Sequence, residues 1–298
     1  MYGFNSDNKG RCDEKDTRYL MHKEEIKFIR KNDFKFIGGF VQHATKCQNI
    51  YAKKDFIKSW TDTLEIVNLP IIGIVPASAH VFDSITSKIS EENNIKIEST
   101  ISEAGPGQFE IVLLHSNSLV SVAENIIFLK YIIRTLAVKH GYDVSFMSKP
   151  FGNLPGSGIH VHYSILDDKN KNIFDNGTLE GSSSLMFAIG GLMETMSEMT
   201  LLMAPHLNSY RRIVSETHAP NIISWGYENR TVALRVPGGE NKSRRIEHRV
   251  AGSDVNPYLL IASIILGVQK GLKEKIKPSS PEDGNAYNSE KQILPASW

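Results

Sequence analysis

With 298 residues, 41% apolar and 22% charged, and a formal net charge of +1, the chain can bury a large core in one big domain or two. That balance excludes a generally basic nucleic-acid surface. The two cysteines, Cys12 and Cys47, form neither a disulfide framework nor a metal motif. No run of roughly 18 apolar residues and no signal-peptide pattern at Met1–Asp16 is present, so the expectation is a cytoplasmic protein with no nucleic-acid and no membrane partner.

In chain order, Met1–Thr17 is polar and charged and reads as a lead-in or connector remnant. Arg18–Lys31 has helical spacing, Phe34–Val41 reads as a strand carrying a glycine pair, Phe56–Leu69 as a helix closed by Pro70, and Val75–Lys88 as a short helix. Ile95–Thr100 is the next strand, followed by the turn-rich stretch ISEAGPGQFEI and the apolar strand Ile111–Leu114. Ser118–His140 is a long helix whose apolar stripe, Val122, Ile126, Leu129, Ile133 and Leu136, is expected to face the core, with Gly141 as its C-cap. The glycine loop up to Gly158 leads into an alternating segment, Ile159–Ile165. Asp167–Leu179 is a polar loop and Ser182–Met203 a methionine-rich core helix. Asn256 and Pro257 open a helix to Leu272 as N-cap and first residue. The tail Lys273–Trp298 is polar with three prolines.

Residues 203–250 concentrate the chemistry. Arg211, Arg212, Arg230, Arg235, Arg244, Arg245 and Arg249 lie there, with Glu228, Glu240 and Glu247 between them. Guanidinium groups present rigid forks of donors that fit phosphate or carboxylate, so this density in a nearly neutral chain points to a compact anionic ligand. Surface ion pairing is the competing reading. In Arg244–Arg249 a strand places Arg245, Glu247 and Arg249 on one side and Ile246 and His248 on the other. Alternation likewise puts His160, His162 and Ser164 on one face. Glu110 lies inside an apolar run, where an unpartnered carboxylate is costly, and Glu103 stands at the loop entrance. Glu103, Glu110, His160 and Glu247 make a set of three carboxylates and one imidazole. Such a set suits Mg2+ or Mn2+ better than zinc. Beside arginines it points to phosphoryl transfer without a P-loop, since Gly156-Ser157-Gly158 is no Walker A sequence.

At these residues the chain resembles a known family. GPGQFEI, PGSGIHVH, NSYRR, NRTVALRVP and RRIEHRVAGSDVNPYL together are similar to the catalytic domain of the glutamine synthetase family, and THAPNIISWGYENRTVALRVP is most similar to its γ-glutamyl-amine ligase branch. The resemblance covers about Glu103–Leu272. It implies an α+β domain with a curved antiparallel sheet lining an active-site funnel, two or three Mg2+ or Mn2+ ions, ATP, and ligation of glutamate to an amine through γ-glutamyl phosphate. Position by position it implies Glu103, Glu110, His160 and Glu247 as metal ligands. His162, Ser164, Arg245 and Lys242 match the nucleotide side, Arg212, Arg249 and Gly156 the glutamate side, and Arg230, Arg235 and His218 the reacting groups.

The chain also departs from that pattern. His218 stands where ammonia-using members carry a flap glutamate, and Pro155 where they carry an asparagine that contacts glutamate. Both changes favour an organic amine over ammonia. The stretch Gly38-Gly39-Phe40-Val41-Gln42-His43 lacks the pair of glutamates expected after a glycine. The family's small N-terminal β-grasp domain and its last helices are not matched, and residues 18–298 are expected to form the catalytic domain. Homo-oligomers are expected, as is a companion chain where the β-grasp domain comes from elsewhere. The alternatives are a non-catalytic or repurposed nucleotide-binding relative, half of a split enzyme, and a metal-dependent hydrolase or transferase on the same scaffold.

Overall fold

The computed structural model describes residues 2–7, 34–41, 46–53, 89, 92–105, 107–139, 142–214 and 219–297. The chain divides into two compact units, Met1–Leu114 and His115–Trp298, where a single domain from residue 18 onward was the expectation. The expected helices Arg18–Lys31, Phe56–Leu69 and Val75–Lys88 lie outside the described residues, as do Gly141 and His218.

In the first unit, β1 (Tyr2–Asp7), β2 (Phe34–Val41) and β3 (Lys46–Lys53) form a sheet in the order β1-β3-β2. Both pairings are antiparallel, and the register shifts between Phe36 and Gly38, next to the glycine pair. The strand at Phe34–Val41 is as expected. The lead-in is not: Tyr2–Asp7 pairs with Tyr51–Lys46, because the main-chain groups of β3 satisfy it whatever its side chains are. β4 (Ile97–Ser102) and β5 (Phe109–Leu113) form an antiparallel hairpin that places Ile101 opposite Glu110. Its turn closes by Glu103 N donating to Gln108 O at 2.9 Å, with Gly107 at a φ of 71°, a left-handed position that glycine adopts without strain.

The second unit holds the arginine-rich stretch. α1 (Leu119–Lys139) buries Leu129 and Ile133 of its expected stripe and Ala123 beside it, while Val122, Ile126 and Leu136 are half-buried. α2 (Ser183–Met203) starts where the Ser182 hydroxyl accepts the Leu185 N–H. By length and apolarity α2 is a candidate membrane span among the described residues, yet Leu185, Ile189, Leu192 and Met196 are buried in the core cluster. α3 (Leu207–Tyr210) is a single turn. α4 (Pro257–Glu274) begins at Asn256, whose side chain accepts the Tyr258 and Leu259 N–H groups. Asn256→Ala should therefore lower stability by about 1 kcal/mol, read as a fall in melting temperature. α2 and α4 meet through glycines. A Cβ on Gly191 would lie 2.2 Å from Gly267 O, and one on Gly271 2.0 Å from Phe187 O.

Against these helices lies a sheet of four three-residue strands, β6 (Val161–Tyr163), β7 (Trp225–Tyr227), β8 (Leu234–Val236) and β9 (Ile246–His248), in the order β6-β9-β8-β7. Its core neighbours include Leu234, Val236, Ile246 and Val250. The architecture is α+β, as expected, but the sheet is not wholly antiparallel: β7 and β8 run parallel. Parallel pairing requires the chain to turn back and then forward again between them, and residues 228–233 do so with Glu228 in the left-handed conformation, φ 50°, and Asn229 Oδ1 accepting from Thr231 N at 2.9 Å. The strand expected from Thr231 begins at Leu234 for the same reason. The tail is also more ordered than its polarity implies. Trp225 Nε1 donates to Ser279 O at 2.7 Å, Ile223 N to Gln292 O at 2.9 Å, and Leu294 is buried in the core.

Candidate active site

Two elements aim the histidines. The segment before β6 is pinned by Ser157 N donating to Ser148 O at 2.8 Å and Ile159 N to Ala251 O at 2.9 Å. Asp254 anchors both ends of this region, accepting from the Ser148 hydroxyl at 2.6 Å and the Ser209 hydroxyl at 2.8 Å. β6 then pairs with β9 so that His162 stands opposite Glu247. His160 Nδ1 comes to 3.3 Å and His162 Nε2 to 3.8 Å from Glu247 Oε1. The expected shared face of His160 and His162 is therefore realised, and it is Glu247 that they share. Ser164 lies exposed one residue past β6.

Glu247 is the hub. It is only 3% exposed, and it accepts from Arg249 Nη1 at 2.6 Å through Oε1 and from Arg235 Nη1 at 2.9 Å through Oε2. Burial on its own would favour the neutral acid. The His160 hydrogen bond and the charge of Arg249 outweigh it and hold the carboxyl well below the usual carboxylate range. Burial, with Arg245 and Arg235 nearby, pushes the His162 imidazole down against the pull of Glu247, which favours the neutral ring whose Nδ1 accepts from Arg245 Nε. On the other side of β9, His248 is fully buried and burial lowers it to about 4.

The arginines separate by role. Arg235 is clasped by Glu247 and by Glu228, whose Oε2 accepts from Nη2 at 2.9 Å. Arg249 also donates Nη2 to Arg230 O at 2.9 Å, while the Arg230 side chain is exposed. Arg245 Nε donates to His162 Nδ1 at 3.3 Å. Arg212, expected to hold a substrate carboxylate, is 3% exposed and donates to the main-chain carbonyls of Val250 at 2.6 Å and Arg249 at 3.2 Å. It packs against the glycine loop: a Cβ on Gly156 would lie 2.9 Å from Arg212 Cγ, and one on Gly158 2.3 Å from Nη2. Lys242 lies on an exposed turn and pairs with Glu240 at 2.8 Å. Glu103 and Glu110 belong to the β4–β5 hairpin of the first unit, Glu103 exposed and Glu110 half-buried. Among the described residues, no three His, Cys, Asp or Glu side chains are grouped so as to hold a metal ion. His160 and Glu247, an imidazole and an ionised carboxylate side by side, do fit one face of the coordination shell of a hard divalent cation.

Three contributors lie outside the expected set of site residues. Glu228 clasps Arg235, Asp254 ties the glycine loop to α3, and Asn172, in the polar loop, donates to Lys242 O at 3.2 Å and Arg244 O at 2.7 Å. Only Glu228 was visible, as a carboxylate among arginines.

Comparison with known proteins matches the part of the chain that carries these residues. The family described as "Glutamine synthetase, catalytic domain" matches residues 74–298. The chain is 37% identical over 196 residues to gamma-glutamylputrescine synthetase PuuA of Escherichia coli, covering 66% of this chain and 42% of that protein. It is 37% identical over 202 residues to the glutamate–isopropylamine ligase of a Pseudomonas species, covering 67% and 44%. It thus spans less than half the length of these relatives. Among solved structures, GmaS in complex with ADP is similar at a TM-score of 0.66 and 28% identity, over 72% of this chain and 51% of that one. GmaS without ligand is similar at a TM-score of 0.66 and 24% identity, over 80% and 52%.

Proposed function

The chain belongs to the glutamine synthetase family, and on that premise we propose that it ligates glutamate to an amine, with ATP and Mg2+ or Mn2+. The observation that carries this reading is Glu247, an ionised buried carboxylate fixed between Arg235 and Arg249 with His160 beside it. His160 and Glu247 would hold a divalent ion, which supplies charge neutralisation for phosphates when bound. The chain's own groups do the rest. Arg235 and Arg230 stabilise the phosphoryl group as it passes to the γ-carboxylate of glutamate, giving γ-glutamyl phosphate. Arg245, with His162, Ser164 and Lys242 nearby in sequence or space, faces the nucleotide, and Arg249, Arg212 and Gly156 serve the glutamate side. For Glu103 and Glu110 as ligands of a further ion, and for His218 beside the reacting groups, the reading rests on the motif match alone. The amine then displaces phosphate. An organic amine is favoured over ammonia, supported by His218 and Pro155 and by relatives named for putrescine and isopropylamine. We place the protein in the cytoplasm as a homo-oligomer, or with a companion chain.

The test is ADP release by the protein with ATP, glutamate and Mg2+ or Mn2+, across ammonia, methylamine, ethanolamine and putrescine. Release that depends on an organic amine, and that stops on chelation with EDTA, is the expected result. The buried Arg212, spent on main-chain carbonyls, favours one second reading, a nucleotide-binding relative without turnover. Mg-ATP binding by calorimetry with no amine-dependent release would select it.

A further inference from the structure

Arg235 is held from two sides, and the two anchors differ in kind. Glu247 is buried and shared: its other oxygen takes Arg249 and faces His160. Glu228 is exposed, and it has a second attachment on the same strand. Its Oε1 accepts the main-chain N–H of Gly238, two residues beyond the end of β8, while its Oε2 takes Arg235 Nη2 at 2.9 Å. One carboxylate therefore ties the arginine's guanidinium to the strand that carries it.

The backbone is built to deliver that carboxylate. Glu228 has a φ of 50°, a conformation costly for a side chain that is not Gly, Asn or Asp. Its own N–H donates to Val236 O at 3.1 Å, next to Arg235. Gly238 in turn leaves room, since a Cβ there would lie 2.9 Å from Glu228 Oε1. The guanidinium Nε–H of Arg235 is buried and has no protein acceptor, so its plane is set by its two terminal nitrogens alone, one on each carboxylate.

We infer that Glu228 is a positioning residue for Arg235, fixing the plane and reach of the guanidinium that meets the transferring phosphoryl group. The inference rests on the ligase reading for what Arg235 does, though not for how it is held. Glu247 alone would leave Arg235 one hydrogen bond and freedom to rotate about it. A misplaced donor loses most of its electrostatic effect on the reaction while the substrates still bind.

The experiment pairs kinetics with a direct probe of the arginine. Glu228→Gln should lower kcat about tenfold, as for a misaligned donor, with KM for glutamate and amine within about twofold. The melting temperature should move by no more than about 2 °C, since the Glu228 side chain is exposed and Arg235 keeps its bond to Glu247. Glu228→Asp, which keeps the charge, should restore part of kcat. In an Arg235→Lys background the same change should cost less than about twofold, because the residue it positions is gone. Side-chain NMR of Arg235 Nε–H, assigned with Arg235→Lys, should show hydrogen exchange about tenfold faster in Glu228→Gln at neutral pH. Unchanged kcat with unchanged exchange overturns the inference, and so do additive losses in the double variant. If the wild-type protein shows no amine-dependent turnover, the ligase reading fails by itself and exchange at Arg235 decides the role of Glu228.

Discussion

Glu247→Ala should lower the melting temperature by about 10 °C and abolish amine-dependent ADP release, whereas Glu247→Gln should retain most of the stability and none of the activity. The stability effect follows from what the carboxylate leaves behind. Arg235 and Arg249 have side chains only 13% and 8% exposed, and alanine strands both without their shared counter-ion. Removing one partner of a buried pair costs about 3–5 kcal/mol, and 1 kcal/mol is worth about 2–4 °C in a domain of this size. Glutamine still offers an oxygen to one arginine and fills the space, so packing survives. It cannot supply the charge that holds two guanidiniums together and that a divalent ion requires. Thermal unfolding of both variants beside the ADP-release assay reads the two effects separately. Equal melting temperatures for wild type and Glu247→Ala would mean that water reaches both arginines and that the hub is a surface feature.

What the sequence made legible was local. The long helices, the Asn256 cap, the alternation of His160 with His162 and the grouping of Glu247 with Arg249 all follow from periodicity and from capping chemistry, which need no knowledge of neighbours. The catalytic-domain family was legible for the same reason, since its motifs are contiguous. What escaped depends on distant partners. The parallel pairing of β7 with β8 hinges on a left-handed glutamate, which no propensity favours. Tyr2–Asp7 pairs through its main chain, and that edge belongs to β3. The tail read only as polar because its polar residues outnumber Leu294, yet the acceptors of Trp225 and Ile223 are carbonyls and not side chains. Arg212 was read from its motif as open to substrate, but its burial depends on Gly156, Gly158 and the carbonyls of Arg249 and Val250 closing round it. Solvent exposure is a property of the assembled fold, and a motif does not encode it.

The glycines between α2 and α4 put this point to the most direct test. In an isolated helix, Gly→Ala stabilises by about 1 kcal/mol, because glycine has the greater backbone freedom to lose. Gly191→Ala should do the reverse here and cost about 3 kcal/mol net, seen as a fall in melting temperature of about 6–12 °C. The reason is steric and has no soft escape: the new methyl would sit 2.2 Å from Gly267 O and 2.5 Å from Gly271 Cα, which are main-chain atoms and not the end of a flexible side chain. Relief requires the helices to part. The consequence reaches the site, because the end of α2 holds the turn after β9 through Gly252 N donating to Met203 O at 3.0 Å, and α4 starts at Pro257, just beyond that turn. Ala251 O in the same turn anchors Ile159, immediately before His160. Activity should therefore fall along with stability, unlike in Glu228→Gln, where activity falls and stability does not. Gly284→Ala is the matched control. A Cβ there meets nothing within 4 Å, so it should shift stability by no more than about 0.5 kcal/mol. A Gly191→Ala protein as stable as the control would show that α2 and α4 have slack between them, and that their contact does not set the position of the histidine strand.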